Sequence, residues 1–138
     1  KYPELYKRIV DEGHQVGNHT YHHLGAFKHL TKTYVDDTEK ANELIHARYF
    51  RPPHGCMNFT GYWWLSRKYR IVMWDLVTRD YSKLLSPYDV VRNVHNYTRN
   101  GSIITFHDSL KSIDKLYFAL PASLRFLKSE GYEFKLFK

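Results

Sequence analysis

The sequence is short of several things, and each shortage removes a class of protein. It has one cysteine, Cys56, in 138 residues. A lone thiol forms no internal disulfide, and it leaves the redox compartment open. No apolar run approaches the ~20 residues that a helix needs to cross a bilayer. There is no internal repeat and no low-complexity linker. The formal charge is +7, yet no block of consecutive basic residues occurs, and aromatics do not alternate with the lysines and arginines as in a base-stacking platform. Nucleic acid is therefore not the expected partner; a basic surface also suits an anionic envelope polymer. No signal peptide is visible. The opening KYPELYKRIVDEG reads as the middle of a helix with no start signal, so natural sequence is expected upstream of Lys1.

What is present is one domain's worth of chain, 1–138, long enough to bury a core. Leu5, Ile9 and Val10 give one apolar face to a helix over 2–12, stopped by Gly13. An extended piece from His14 to Asn18 follows. A second helix is expected over about 31–47, with Thr33 as a candidate cap and Val35, Ala41, Leu44 and Ile45 as its apolar face. Arg48–Arg51 is a short strand cut off by Pro52-Pro53. Asn58 or Thr60 opens a helix to about Tyr69, and the apolar run RIVMWDL, 70–76, suits a strand covered on both faces. Pro87 starts a helix that ends at Asn100-Gly101. SIITF, 102–106, is another buried strand; Ile113–Glu130 is a helix kinked or broken at Pro121; and YEFKLF, 132–137, is a last strand. Strand and helix alternate, which predicts an α/β fold with mainly parallel pairing.

The polar residues fall in a pattern. Asn18-His19, Arg51, Asp75 to Asp80 and His107-Asp108 all follow the C-terminal ends of predicted strands. That rim is where parallel α/β folds bind ligands and do chemistry.

GNHTYHHLG, 17–25, places three histidines in five residues. His19 and His23 are four apart; in a helical turn their Cβ atoms would lie ~6 Å from each other. Two imidazoles so placed can hold a zinc-like ion, for which a third His or a carboxylate is wanted; a histidine-rich surface turn is the plainer alternative. His22 would point elsewhere. His107, at the end of an apolar strand, is either a capped surface residue or a ring whose basicity a neighbouring carboxylate tunes for acid catalysis, with Asp80 the candidate neighbour. RPPHG, 51–55, is a tight turn or a place where the backbone comes close to a ligand. Tyr21, Tyr62, Trp63, Trp64, Trp74 and Tyr81 are candidate sugar-stacking rings or, more simply, core; Trp74 in its apolar run belongs to the second group.

In order and spacing, GHQVGNHTYHH, FRPPHG, VMWDLVTRDY, GSIITFHDS and EGYEFKLF resemble the polysaccharide deacetylases of the NodB-homology type, carbohydrate esterase family four. The resemblance runs over nearly the whole chain. It implies a distorted, incomplete (β/α) barrel, here lacking its first strand, and metal-assisted removal of N-acetyl or O-acetyl groups, N-acetyl preferred, from a sugar polymer. It matches His19 and His23 to the metal pair and Thr20 to the residue that bolsters their loop. Arg51, Pro52 and Pro53 match one wall of the groove, and Arg51 is counted with the catalytic set. His54 stands where an aromatic residue is usual, and its backbone N–H would help hold the acetyl oxyanion. Asp80 matches the acid that pairs with the catalytic histidine, His107.

Departures from the pattern fall mostly on the pocket. Tyr81 stands for the usual Trp, Thr105 for the usual Leu, and Val77 where an Asp is frequent. The aspartate pair of the family's first motif, catalytic base and third metal ligand, has no match here. Asp36-Asp37 is a poor substitute in a helical stretch, where acids commonly serve the helix N-terminus. The expected cofactor is a divalent metal, zinc before cobalt or nickel. The expected partner is an acetylated polysaccharide: peptidoglycan, a chitin-like polymer, an exopolysaccharide or xylan. By the family's habit its place is the cell envelope or the extracellular space. Two rivals stand beside the enzyme: a catalytically inactive carbohydrate-binding module, and an inactive fragment whose exposed strand edges favour self-association.

Overall fold

A computed structural model describes residues 2–138. Residues up to Met73, with Leu136–Lys138, form one compact unit, and Trp74–Lys135 a second.

In the first unit α1 spans Pro3–Asp11, opened by a proline in its first turn. Gly13, at φ +82°, lies just past its end, in the left-handed conformation that costs glycine nothing. None of its residues is buried; the Tyr6 hydroxyl donates to the carbonyl of Ile45 at 3.2 Å. Helix α2, Thr31–Ile45, starts from Leu30 with no side-chain cap, so Thr33 is inside the helix and does not cap it. Its buried face is Tyr34, Asp37, Thr38 and Ala41, not the stripe expected from Val35, Leu44 and Ile45; Leu44 is exposed. The aromatic Tyr34 sets the rotation of the helix: its ring lies edge-on to Phe50, centroids 6.3 Å apart.

Strand β1, Tyr49–Phe50, pairs in parallel with β2, Arg70–Ile71, Tyr49 opposite Arg70. Asn18 adds a parallel bridge to Phe50. Between the strands lie a 3₁₀ turn, Pro53–Gly55, and α3, Phe59–Leu65. The Asn58 side chain caps α3 by accepting from the N–H of Gly61. The helix stops at Leu65, short of the Tyr69 expected. Ala26, Tyr34, Phe50, Leu65 and Tyr69 form the core. Phe50, fully buried, contributes about 3 kcal/mol by removal of its ring from water.

In the second unit β3, Leu76–Val77, pairs in parallel with β4, Ile104–Thr105. Helix α4, Pro87–Tyr97, starts with a capping box in which Ser86 and Asp89 satisfy each other's backbone N–H. It packs on α5, Ile113–Ser129, and the buried residues are Val90 and Val94 on one helix and Ala119, Ser123 and Leu127 on the other.

Three expectations are corrected here. RIVMWDL is not one strand: pairing stops after Ile71 and resumes at Leu76. In the gap the Asp75 carboxylate takes the N–H of Ile103 at 2.7 Å, the Ser102 hydroxyl at 2.9 Å and Arg99 at 3.2 Å, doing with a side chain what a ladder would do with backbone. Pro121 does not break α5, which runs through it. YEFKLF forms no strand among the described residues; the backbone of Phe137 instead exchanges two hydrogen bonds with the Gln15 side chain, at 2.7 and 2.8 Å. Among the described residues no helix is long and apolar enough to cross a membrane.

Candidate metal centre and proton-transfer pair

The histidine loop is not helical. His19 and His23 meet because Thr20 and His23 both take left-handed backbone, φ +64° and +56°, conformations that cost a residue with a Cβ about 1 kcal/mol or more each. The result is the convergence that a helical turn would give: the two rings lie edge to face with centroids 4.9 Å apart.

The strain is held by a set of side-chain anchors. Asn18, 1% exposed, accepts the N–H of Thr20 at 2.9 Å and donates to the carbonyl of Thr38 at 2.8 Å. The Thr20 hydroxyl accepts the N–H of Leu24 at 3.0 Å, closing the loop as the resemblance implied for this residue. Asp37, 7% exposed, accepts the N–H groups of Tyr21 and His22, each at 2.9 Å, and pairs with the His22 ring at 2.5 Å. Burial pushes the Asp37 carboxyl up, but these donors outweigh it and hold the group below the ordinary carboxylate range. Asp37 is therefore a clamp on the loop. Sequence reasoning weighed it only as part of a poor substitute for the missing aspartate pair, against the plainer reading of an acid serving the helix N-terminus. The signal that could have found its role was the buried stripe of α2 at 34, 37, 38 and 41, where a carboxylate must have partners.

His19 donates from Nδ1 to the carbonyl of Arg51 at 2.6 Å, which turns Nε2 outward as a bare lone pair. Although solvent reaches much of the residue, the groups packed round it strip water from the cationic form and hold its pKa below the ordinary histidine value, with the neighbouring His23, Arg51 and His54 adding to the effect. A neutral imidazole with a free Nε2 is the species a metal binds. The pair fits a divalent cation in chemistry, and among the described residues no third His, Cys, Asp or Glu joins it in a group able to hold one.

Arg51 ties the loop to β1 and β2. Its N–H donates to the carbonyl of Asn18 at 2.9 Å and its Nε to the carbonyl of Val72 at 3.1 Å. Pro52 and Pro53 are buried beside it, and His54 follows at φ +59° with its ring edge-on to His23, centroids 4.9 Å apart.

The second unit holds the other set. Asp80 is fully buried, and its carboxylate receives both the N–H of His107 at 2.6 Å and the His107 ring Nδ1 at 2.7 Å. One oxygen fixes the backbone and the other the ring, so Nε2 of His107 is the nitrogen left to exchange a proton. Tyr81 stands edge-on to that ring with centroids 5.0 Å apart. Thr105 lies half-buried on β4, its carbonyl taking the Thr78 hydroxyl at 2.9 Å. One polar residue here was not anticipated: Lys115 of α5 donates to the carbonyls of Asp80 and Ser82.

Comparison with known proteins shows what the chain as a whole is similar to. A family model described as polysaccharide deacetylase matches residues 1–71. A peptidoglycan-N-acetylglucosamine deacetylase of Bacillus cereus is 30% identical over 146 residues, covering 97% of this chain and 51% of that protein. The chain thus spans about half the length of that curated relative. A family 4 carbohydrate esterase from Streptomyces lividans, solved with acetate, superposes with a TM-score of 0.82 at 26% identity, over 94% of this chain and 69% of that one. A family 4 pseudoenzyme from Bacillus anthracis superposes with a TM-score of 0.81 at 25% identity, over 96% of this chain and 48% of that one.

Proposed function

Because the chain belongs to the polysaccharide deacetylase family, we propose that it carries most of the site of a metal-dependent deacetylase acting on an N-acetylated envelope glycan such as peptidoglycan or a chitin-like polymer. The observation that carries this reading is the Asp80–His107 couple, a buried carboxylate that fixes one ring nitrogen and leaves the other to the substrate.

His19 and His23 would hold the metal, zinc in this reading, through Nε2 of His19 and a ring nitrogen of His23. A divalent cation there supplies polarisation of the acetyl carbonyl and acidification of water. The third ligand and the general base come, in this reading, from an aspartate pair outside these 138 residues. The backbone N–H at His54 is the donor proposed for the carbonyl oxygen as negative charge grows on it. Arg51 orients His19 through its carbonyl. Water oxygen bonds to the acetyl carbon, the carbon–nitrogen bond breaks, and the leaving amine takes its proton from Nε2 of His107, whose Nδ1 the Asp80 carboxylate holds. The products are acetate and a free amino sugar. Tyr81 and Thr105 border the place proposed for the acetyl methyl.

Acetate release by the intact protein from an N-acetylated glycan tests the reading. His107→Ala is expected to lower turnover by about 10²-fold or more while bound metal stays in place. Unchanged turnover in that variant would remove His107 from the chemistry. The likeness to a pseudoenzyme favours one second reading, a glycan-binding module without turnover; binding of the polymer with no acetate released by the intact, metal-loaded protein selects it. Self-association through strand edges is a further part of the proposal, and light scattering that finds monomers alone removes it.

A further inference from the structure

Lys115 sits in the first turn of α5, one residue after Asp114. A cation is unwelcome there, because the N-terminal turn of a helix carries partial positive charge. The side chain is nevertheless half-buried, and its ammonium is committed to two backbone carbonyls, Asp80 at 3.1 Å and Ser82 at 2.7 Å. Those carbonyls flank Tyr81 on the turn that presents the buried carboxylate. The turn is itself strained: Arg79 takes left-handed backbone, φ +61°, and the N–H of Ser82 reaches back to the carbonyl of Arg79 at 2.9 Å. On one side the turn is tied to His107 through the Asp80 carboxylate. On the other side it is tied to α5 through Lys115.

We infer that Lys115 is a positioning residue for the Asp80–His107 couple: it fixes the Asp80–Ser82 turn against α5 so that the carboxylate holds the His107 ring in one orientation. The argument is one of over-determination. A left-handed arginine and a fully buried carboxylate persist in one geometry only when enough bonds leave them no alternative, and the ammonium supplies two of those bonds from an element that does not otherwise carry the chemistry. Lysine suits the task because its three N–H donors can satisfy two carbonyls at once, whereas an apolar side chain of similar length would take that donor from the carbonyls of the fully buried Asp80 and the half-buried Ser82. The inference rests on the deacetylase reading for its consequence in turnover, but not for its consequence in structure.

Two measurements test it. In the 138-residue chain, the Nδ1 proton of His107 should give a downfield proton resonance in NMR because it is bonded to a carboxylate. Lys115→Met should broaden or abolish that resonance by opening the turn to water, and Lys115→Arg should keep it. In the intact protein, Lys115→Met should lower kcat for acetate release by about ten- to a hundredfold, with KM and metal content unchanged, since a small misplacement of a catalytic group is enough for such a loss. Lys115→Arg should recover part of it. A Lys115→Met chain that keeps the resonance unchanged overturns the inference, as does an intact Lys115→Met protein with wild-type kcat when His107→Ala is inactive. If His107→Ala is itself fully active, His107 has no part in the chemistry, and the resonance alone decides for or against Lys115. A Lys115→Met chain that loses the resonance while its melting temperature is unchanged supports the positioning role over a merely structural one.

Discussion

Asp37 shows how one carboxylate can build a site without touching the chemistry. Its oxygens collect two backbone N–H groups and a ring nitrogen from the loop that carries His19 and His23. Asp37→Asn keeps the shape but halves the acceptor capacity and removes the charge, so the variant should be about 2 kcal/mol less stable at neutral pH, as for loss of hydrogen bonds to a charged group. The pH dependence follows from the lowered folded-state pKa. The stabilisation is fully present above the ordinary carboxylate range, about pH 4, and is lost as pH falls through the lower folded value. Melting curves recorded from pH 7 down to pH 2 should therefore show the two proteins converging in acid. A constant gap across that range would mean that the carboxylate's charge is not what holds the loop.

At the scale of single elements, what is local was legible and what depends on neighbours was not. Pro87 marked the start of α4, Asn58, with Thr60 as the alternative, that of α3, and Gly13 the end of α1, because caps and stops act within one turn. The rotation of α2 was missed because Tyr34, not the aliphatic stripe, finds a partner in Phe50. The break in the strand expected over 70–76 was missed because hydropathy says only that a segment is covered, while Asp75 diverts the N–H of Ile103 to its own carboxylate. A prediction on the cap of α3 belongs here. Gly61 is buried, and a Cβ added to it would lie 2.9 Å from Oδ1 of Asn58, the atom that caps its own N–H, and 3.6 Å from Tyr34. Asn58 cannot swing away freely, since its amide also donates to the carbonyl of Ala26 at 3.1 Å. Gly61→Ala, stabilising in an exposed helix, should here cost about 1 kcal/mol through the lost cap. A raised melting temperature would show that the cap yields at no cost.

For the molecule as a whole, the α/β fold and the grouping of the candidate residues could both be read in the sequence. His19, His23, Arg51, Asp80 and His107 were singled out from strand-end placement and motif order. The structure brings the first three together in one unit, with ring centroids of His19 and His23 4.9 Å apart and Arg51 bonded to His19, and joins the last two in the other at 2.7 Å. Lys115 escaped because its work is done on backbone carbonyls of a distant segment, which no local pattern reports, and Asp37 escaped because the rotation of α2 was misjudged. The geometry of the histidine loop was also anticipated for the wrong reason, since two left-handed residues, not a helix, bring the rings together.

The central claim is that His19 and His23 are a metal-binding pair, and a zinc titration of the chelator-treated 138-residue chain tests it most directly. The account predicts weak zinc binding, by two ligands of this chain, that His19→Ala and His23→Ala each abolish and that His95→Ala, on α4, leaves unchanged. Zinc bound equally well by the His19→Ala chain would contradict it, and would mean that the histidines of this loop are a surface turn and no part of a metal centre.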